Sequence, residues 1–139
     1  MSESVSSVMT VDGRPLFFWH QPSGGKLRSE GAPVHEGRFN LSLTPIRSGN
    51  ELDEVLKNGE LLGGPFASQH YAELILAMPL ERIPADWLEL NLAFLGTDWL
   101  GASGCRTVAC LRWENGRPMI WFQCDHFCYG EYCAVHVSV

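Results

Sequence analysis

The feature that most constrains this chain is the pair Asn115-Gly116, which lies between two runs of β-type residues. Both residues tolerate positive φ, as a two-residue type I′ turn requires at its two central positions. The pair therefore predicts a β-hairpin made by the runs on either side of it. A further run of β-type residues closes the chain, which predicts a three-stranded C-terminal meander that starts at Arg106.

A second turn signal, Asp12-Gly13, predicts a hairpin near the N-terminus. Each of the two turns is followed by Arg-Pro and four large apolar residues. We interpret this likeness as two strands that begin at proline, where a strand tolerates it, and not as an internal duplication. Residues 38–43 alternate between polar and apolar side chains and predict another strand, ended by Thr44-Pro45.

The middle of the chain predicts two or three helices. Residues 51–59 carry acidic side chains in their first turn and end at a glycine, and residues 69–78 follow a potential Ser68 cap. Residues 84–90 are ambiguous, because the proline at their start favours a helix whereas the alternation in residues 88–92 favours a strand. We take residues 84–90 as the third helix.

Strands at both ends of the chain with helices between them predict an α+β fold. Its sheet is expected to be mostly antiparallel and formed by the N- and C-terminal hairpins. The length of 139 residues fits one domain, which we place at residues 8–139 behind a disordered N-terminus at residues 1–7. Residues 21–37 are expected to form a long loop, and the glycine-punctuated residues 96–104 a second loop that presents Trp99.

The charge balance bears on the partners of the protein. The chain has 10 Lys and Arg against 16 Asp and Glu, a formal net charge of −6. This balance argues against direct nucleic-acid binding, which needs a basic face, and favours a basic protein partner. No apolar run reaches the roughly 20 residues that span a bilayer, so no membrane contact is expected. The N-terminus lacks the pattern of a secretory signal, so we predict a cytoplasmic protein whose five cysteines are reduced.

The end of the chain offers a possible zinc site. Its candidate ligands are Cys124, Cys128, Cys133 and His136, four soft or borderline donors within thirteen residues. Such a site would make the protein a zinc-stabilised interaction module. The spacing lacks the usual pairs of cysteines two residues apart, and the alternative is that the cysteines are small buried apolar residues.

Residues 40–125 resemble the small ADP-ribosyltransferase folds, in which a strand is followed by a helix, a glycine-rich segment and a second helix. The residues that carry the resemblance are Leu56, Gly59, Gly63, Gly64, Phe66, Ala67, Ser68 and Ala72. The resemblance implies an enzyme that uses NAD. In that case Arg47 would hold the dinucleotide, Ser68 would support the pocket, and Glu131 or Asp125 would stabilise the cation that develops at the ribose.

The hypothesis we place first is a binding protein without catalysis. No catalytic motif is complete, and the chain is small and acidic, as is common for inhibitors, immunity proteins and anti-defence proteins that meet a basic partner. Trp99, Tyr129 and Asp125 are the predicted binding residues, because aromatic side chains dominate the energy of many interfaces. The alternatives are the NAD-dependent transferase and the zinc-stabilised module.

Overall fold

The computed structural model describes residues 9–13, 20–46, 50–51, 65–102, 104–124, 126–127 and 132–138. The described strands are β1 (Met9–Gly13), β2 (Lys26–Ser29), β3 (Gly37–Ile46), β4 (Asn50–Glu51), β5 (Asn91–Leu100), β6 (Arg106–Glu114), β7 (Arg117–Cys124), β8 (His126–Phe127) and β9 (Tyr132–Ser138). The helix α1 covers Gln69–Leu76, and two short 3₁₀ turns cover Leu80–Arg82 and Ala85–Glu89.

Six strands lie side by side in the order β1-β3-β9-β5-β6-β7. The sheet is mixed, because β5 and β9 pair in parallel while the other ladders are antiparallel. The strand β2 joins outside this row and pairs with the last residues of β5. A separate two-stranded ladder joins β4 to β8.

The C-terminal hairpin is confirmed. The strands β6 and β7 pair from Thr107–Cys124 to Glu114–Arg117, which leaves a two-residue loop. Asn115 has a φ of 53° and Gly116 a φ of 78°. These are the left-handed conformations that the turn requires at both positions.

The predicted α+β class with two or three helices is wrong, because strands dominate the part of the chain that the structure describes and a single α-helix accompanies them. The helix predicted at residues 69–78 is confirmed as α1. The one predicted at residues 84–90 is a 3₁₀ turn, because β5 begins at Asn91 and leaves too few residues after Pro84 for more than a short turn. Of the helix predicted at residues 51–59, the structure describes only Glu51, which belongs to the strand β4. The other residues of that prediction lie outside the described residues.

The predicted strand pairings also need correction. Asp12 and Gly13 do not form a hairpin turn, since they lie in β1 opposite Arg38 and Gly37. The meander is wrong as well, because β9 does not follow β7 in the sheet but lies between β3 and β5. Turn chemistry acts locally, whereas the place of β9 depends on partners far away in the sequence.

Three loop boundaries differ from the prediction. The strand β3 does not end at Pro45 but continues to Ile46. Pro45 is tolerated there because β1 pairs only with residues 37–41, so no β1 partner is present to need the N–H that proline lacks. Residues 21–37 contain β2 and are therefore not a continuous loop. The glycine-punctuated loop around Trp99 is instead the second half of β5.

Both faces of the sheet are packed. The larger core lies between one face and α1 with the 3₁₀ turns, and its fully buried members include Phe39, Leu41, Ile75, Trp87 and Leu111. A smaller core on the opposite face contains Ala93, Cys110 and Tyr132, with Phe66 and Trp121 packed against it. The central strands β5, β6 and β9 contribute alternate side chains to the two cores, as side chains on a pleated strand point to opposite faces.

The connector before α1, residues 65–68, is wedged into the sheet. The parallel ladder of β5 and β9 ends at Ala93–Ala134. Beyond it, Ala67 donates its N–H to Val135 O at 2.7 Å, and its own carbonyl accepts the N–H of Gly96 at 2.9 Å. A Cβ at Gly96 would lie 2.7 Å from Phe66 O, so the crossing needs glycine. The wedge fixes where α1 begins.

Candidate functional site

The predicted zinc ligands do not come together. Cys124 forms a disulfide with Cys105, so it is not available as a thiolate. Cys133 and His136 lie on opposite faces of β9: the first belongs to the larger core, and the second stacks on Phe66 with ring centroids 5.0 Å apart. The described residues contain no group of three or more potential metal ligands. Cys128 lies outside the described residues.

The prediction that all five cysteines are reduced is wrong, because Cys105 and Cys124 form this disulfide. It joins the residue before β6 to the last residue of β7. The free cysteines among the described residues, Cys110 and Cys133, are buried. Burial raises the pKa of the Cys110 thiol far above its ordinary value, because the thiolate would lose its hydration. Both residues therefore act as small apolar side chains, as the alternative to zinc predicted.

Trp99 was predicted to be an exposed anchor and is instead buried, with 2% of its surface accessible. It lies on the face of the sheet that α1 covers, and its indole Nε1 donates to Gln69 Oε1 at 2.8 Å. The other two predicted binding residues, Tyr129 and Asp125, lie outside the described residues. Trp99 is therefore a core residue with a satisfied polar tip and not an exposed anchor.

Ser68 also has a structural task. It is 1% exposed, and its hydroxyl donates to Ala32 O at 2.6 Å. Ser68 stands at the N-cap of α1 but makes no side-chain capping bond. Arg47 and Glu131, the other residues that the resemblance to ADP-ribosyltransferases implies, lie outside the described residues. The transferase hypothesis stays a prediction.

A buried polar network that the sequence did not predict centres on Gln69 of α1. Its main-chain N–H donates to Thr97 Oγ1 at 2.8 Å, and its side-chain Nε2 donates to His20 O at 2.5 Å. With the bond from Trp99, both polar atoms of the Gln69 side chain are used. Gln69 itself is completely buried, so these bonds offset the cost of removing its amide from water.

Glu73 extends this network one helical turn further on. Its carboxylate accepts from the main-chain N–H of His20 at 2.6 Å, and the imidazole Nδ1 of His20 lies 2.7 Å from Oε1. The Glu73 side chain is 2% exposed, whereas that of His20 is 33% exposed. Gln69 and Glu73 are four residues apart on the buried face of α1. These two polar residues within an apolar stripe were the only signal in the sequence for a buried polar network.

A second feature lies at the other end of β5. The ladder between β5 and β6 begins at Leu92–Leu111. Just outside it is a cleft of about 220 Å³, lined by Leu88, Glu89, Leu90, Asn91, Arg112, Trp113 and Glu114. The Arg112 guanidinium pairs with Glu114 at 2.5 Å, and its carbon lies 5.4 Å from the centre of the Trp121 ring.

The surface beside the cleft is partly apolar. Met119 lies opposite Arg112 in the hairpin and is 42% exposed, and Trp121 on the same face is half-buried. Leu80 is 39% exposed and lies near the hairpin tip, because a Cβ at Gly116 would meet its Cδ2 at 3.5 Å. We call the cleft together with Met119 and Trp121 the hairpin surface.

Comparison with protein-family models, curated proteins and solved structures found no match for this chain. None of the described helices has the length and apolar character needed to cross a membrane.

Proposed function

We propose that this protein is a binding protein without catalysis that docks a basic segment of a protein partner on the hairpin surface. The observation that carries the proposal is the cleft, where two carboxylates meet the half-buried Trp113, and where the exposed Met119 lies opposite the lining residue Arg112 in the hairpin. Tryptophan, methionine and arginine are enriched at protein interfaces, and basic side chains of a partner suit an acidic cleft.

The local charge supports a basic partner. Residues 80–90 carry Glu81, Asp86 and Glu89 against Arg82, a local charge of −2, and the whole chain has a formal net charge of −6. Glu114 is already paired with Arg112. Glu89 is therefore the cleft carboxylate best placed to accept an incoming lysine or arginine, and Trp113 offers an apolar wall for the stem of such a side chain.

Site-specific photocrosslinking in the source cells tests this proposal. A crosslinking residue is placed at Met119 and, as a matched control, at Leu27, which is equally exposed but lies on β2 at the opposite end of β5. We expect one protein with a stoichiometric crosslink at Met119, none at Leu27, and loss of the crosslink in Glu89→Lys. Equal crosslinking at the two positions, or a product that Glu89→Lys leaves unchanged, would contradict the proposal.

A further inference from the structure

The segment of residues 30–35, which we call the strap, is held by side chains that contact its main chain. The Thr97 hydroxyl donates to Glu30 O at 2.6 Å, and the Ser68 hydroxyl donates to Ala32 O at 2.6 Å. The Tyr71 hydroxyl accepts the N–H of His35 at 2.9 Å and lies 3.5 Å from Pro33 O. Main-chain contacts of this kind do not depend on the identity of the side chain that they hold.

The strap and its supports differ in burial. Ser68, Tyr71 and Thr97 are at most 3% exposed, whereas residues 30–33 of the strap are all exposed. Residues 30–33 of the strap are therefore held by polar contacts with their main chain, whereas Val34 packs against the larger core. We call Ser68, Tyr71, Thr97 and the adjacent Gly96 the cradle. A set of buried hydroxyls that binds the main chain of an exposed segment has the properties of a peptide site with its ligand in place.

One position of the strap is selective. Gly31 has a φ of 79°, and a Cβ there would collide with the carbonyl of Gly96 and lie 2.9 Å from Ser68 Cβ. Only glycine fits, for reasons of both backbone conformation and space. The strap also makes side-chain contacts. Glu30 Oε2 lies 2.7 Å from His70 Nε2 at the rim, Val34 packs against the larger core, and the His35 ring meets the Phe39 ring edge-on with centroids 6.3 Å apart.

We propose that the cradle is a peptide-binding site that the strap occupies in cis, and that an extended peptide with a glycine at the position of Gly31 binds there in trans when the strap leaves. The ligand class is an extended segment with glycine at its centre and an acidic residue before it, read through its carbonyl groups. The hairpin surface lies at the opposite end of β5, so this site does not depend on the function proposed above.

The test uses the full chain and a fluorescein-labelled peptide with the sequence of residues 28–35, Arg-Ser-Glu-Gly-Ala-Pro-Val-His. Gly31→Ala places a methyl group against Gly96 and should expel the strap from the cradle. We expect saturable binding of the peptide to Gly31→Ala, at least tenfold tighter than to the unchanged protein. The same peptide with alanine in place of its glycine should not bind, and adding Ser68→Ala and Thr97→Val should abolish binding.

A second variant covers the case in which Gly31→Ala does not fold. Residues 30–35 are replaced by three Ala-Ser repeats, which keep the length but offer no glycine. Equal binding of the glycine and alanine peptides, or no saturable binding by either variant, would overturn the proposal. Cooperative unfolding of both variants at room temperature would also overturn it, because the strap would then be an integral part of the fold and not an exchangeable ligand.

Discussion

Glu73 holds His20 through both the main chain and the side chain of the histidine. The carboxylate accepts the His20 N–H at 2.6 Å and faces the imidazole Nδ1 at 2.7 Å. The two residues are 53 positions apart, so this contact attaches the segment before the strap to α1. A neutral His20 must then carry its proton on Nδ1 in order to donate to the carboxylate.

Removing the Glu73 carboxylate should destabilise the fold. In Glu73→Ala the His20 N–H loses its acceptor in a partly buried place, and we expect a loss of about 2–3 kcal/mol in the free energy of unfolding. Glu73→Gln keeps one carbonyl acceptor and should lose less. Urea denaturation measures both values. Glu81→Gln, at an exposed position, is the control and should change stability by less than about 0.5 kcal/mol. A Glu73→Ala protein as stable as this control would show that the contact does not stabilise the fold.

The indole of Trp99 should stabilise the fold through the hydrogen bond that its Nε1 donates, and not through its size alone. Trp99→Phe leaves the buried Gln69 Oε1 without the donor now 2.8 Å away, which should cost about 1–3 kcal/mol in addition to the lost packing. The matched change is Trp87→Phe, at an equally buried tryptophan whose indole Nε1 makes no hydrogen bond within the described structure. Chemical denaturation followed by circular dichroism compares the two. Equal losses in the two variants would mean that the Trp99–Gln69 bond adds nothing.

Stability should fall in alkaline solution because of Cys110. Burial raises the pKa of this thiol in the folded protein, so above about pH 9 the unfolded chain releases a proton that the folded chain keeps. Below that pH both states hold the proton and the group has no effect. Above it, Cys110 alone should lower the free energy of unfolding by about 1.4 kcal/mol per pH unit.

Comparing the unchanged protein with Cys110→Ala isolates the effect of this thiol on the free energy of unfolding. Lysines, tyrosines and the other thiols titrate in both proteins, so their contributions cancel. Unfolding free energies of the two proteins are measured from pH 8 to pH 10.5. We expect the unchanged protein to be the more stable at pH 8, and its advantage in unfolding free energy over Cys110→Ala to become smaller as the pH rises. Only the unchanged protein has the Cys110 thiol, whose burial destabilises the fold at alkaline pH. Parallel curves over this range would contradict the prediction.

Reduction of the Cys105–Cys124 disulfide should lower the melting temperature without abolishing the fold. The bridge joins residues 19 positions apart, and the loss of a cross-link that closes a loop of that size costs about 3 kcal/mol. The eight paired positions of β6 and β7 and the Asn115-Gly116 turn keep the hairpin together. Scanning calorimetry with and without a reducing agent should show a drop of roughly 10 °C.

The double variant Cys105→Ser, Cys124→Ser is the control for the reducing agent. Its melting temperature should match that of the reduced protein and should not respond to reduction. Intact-mass measurement after alkylation under denaturing conditions gives the number of thiols before and after treatment. If the untreated protein shows five alkylated thiols, the disulfide does not form in solution.

Local chemistry in the sequence was sufficient to predict some elements. Asn115-Gly116 specifies its turn because both residues adopt positive φ at low cost, and the strands beside it then pair with no choice of partner. The apolar spacing of residues 69–78 predicts α1 for a similar reason, since a helix closes its hydrogen bonds within one segment. The burial of Cys110 and Cys133 was already among the alternatives.

Other features depended on contacts between distant residues, and only the tertiary structure decided them. Asp12-Gly13 carries the same turn signal as Asn115-Gly116 but lies in a strand, because β3 offers it a partner. His20 meets Glu73, and Trp99 meets Gln69, only because the connector wedges into the sheet and positions α1. Turn and helix signals come from the conformational preferences of adjacent residues, whereas strand order and buried polar pairs come from competition among partners across the whole chain.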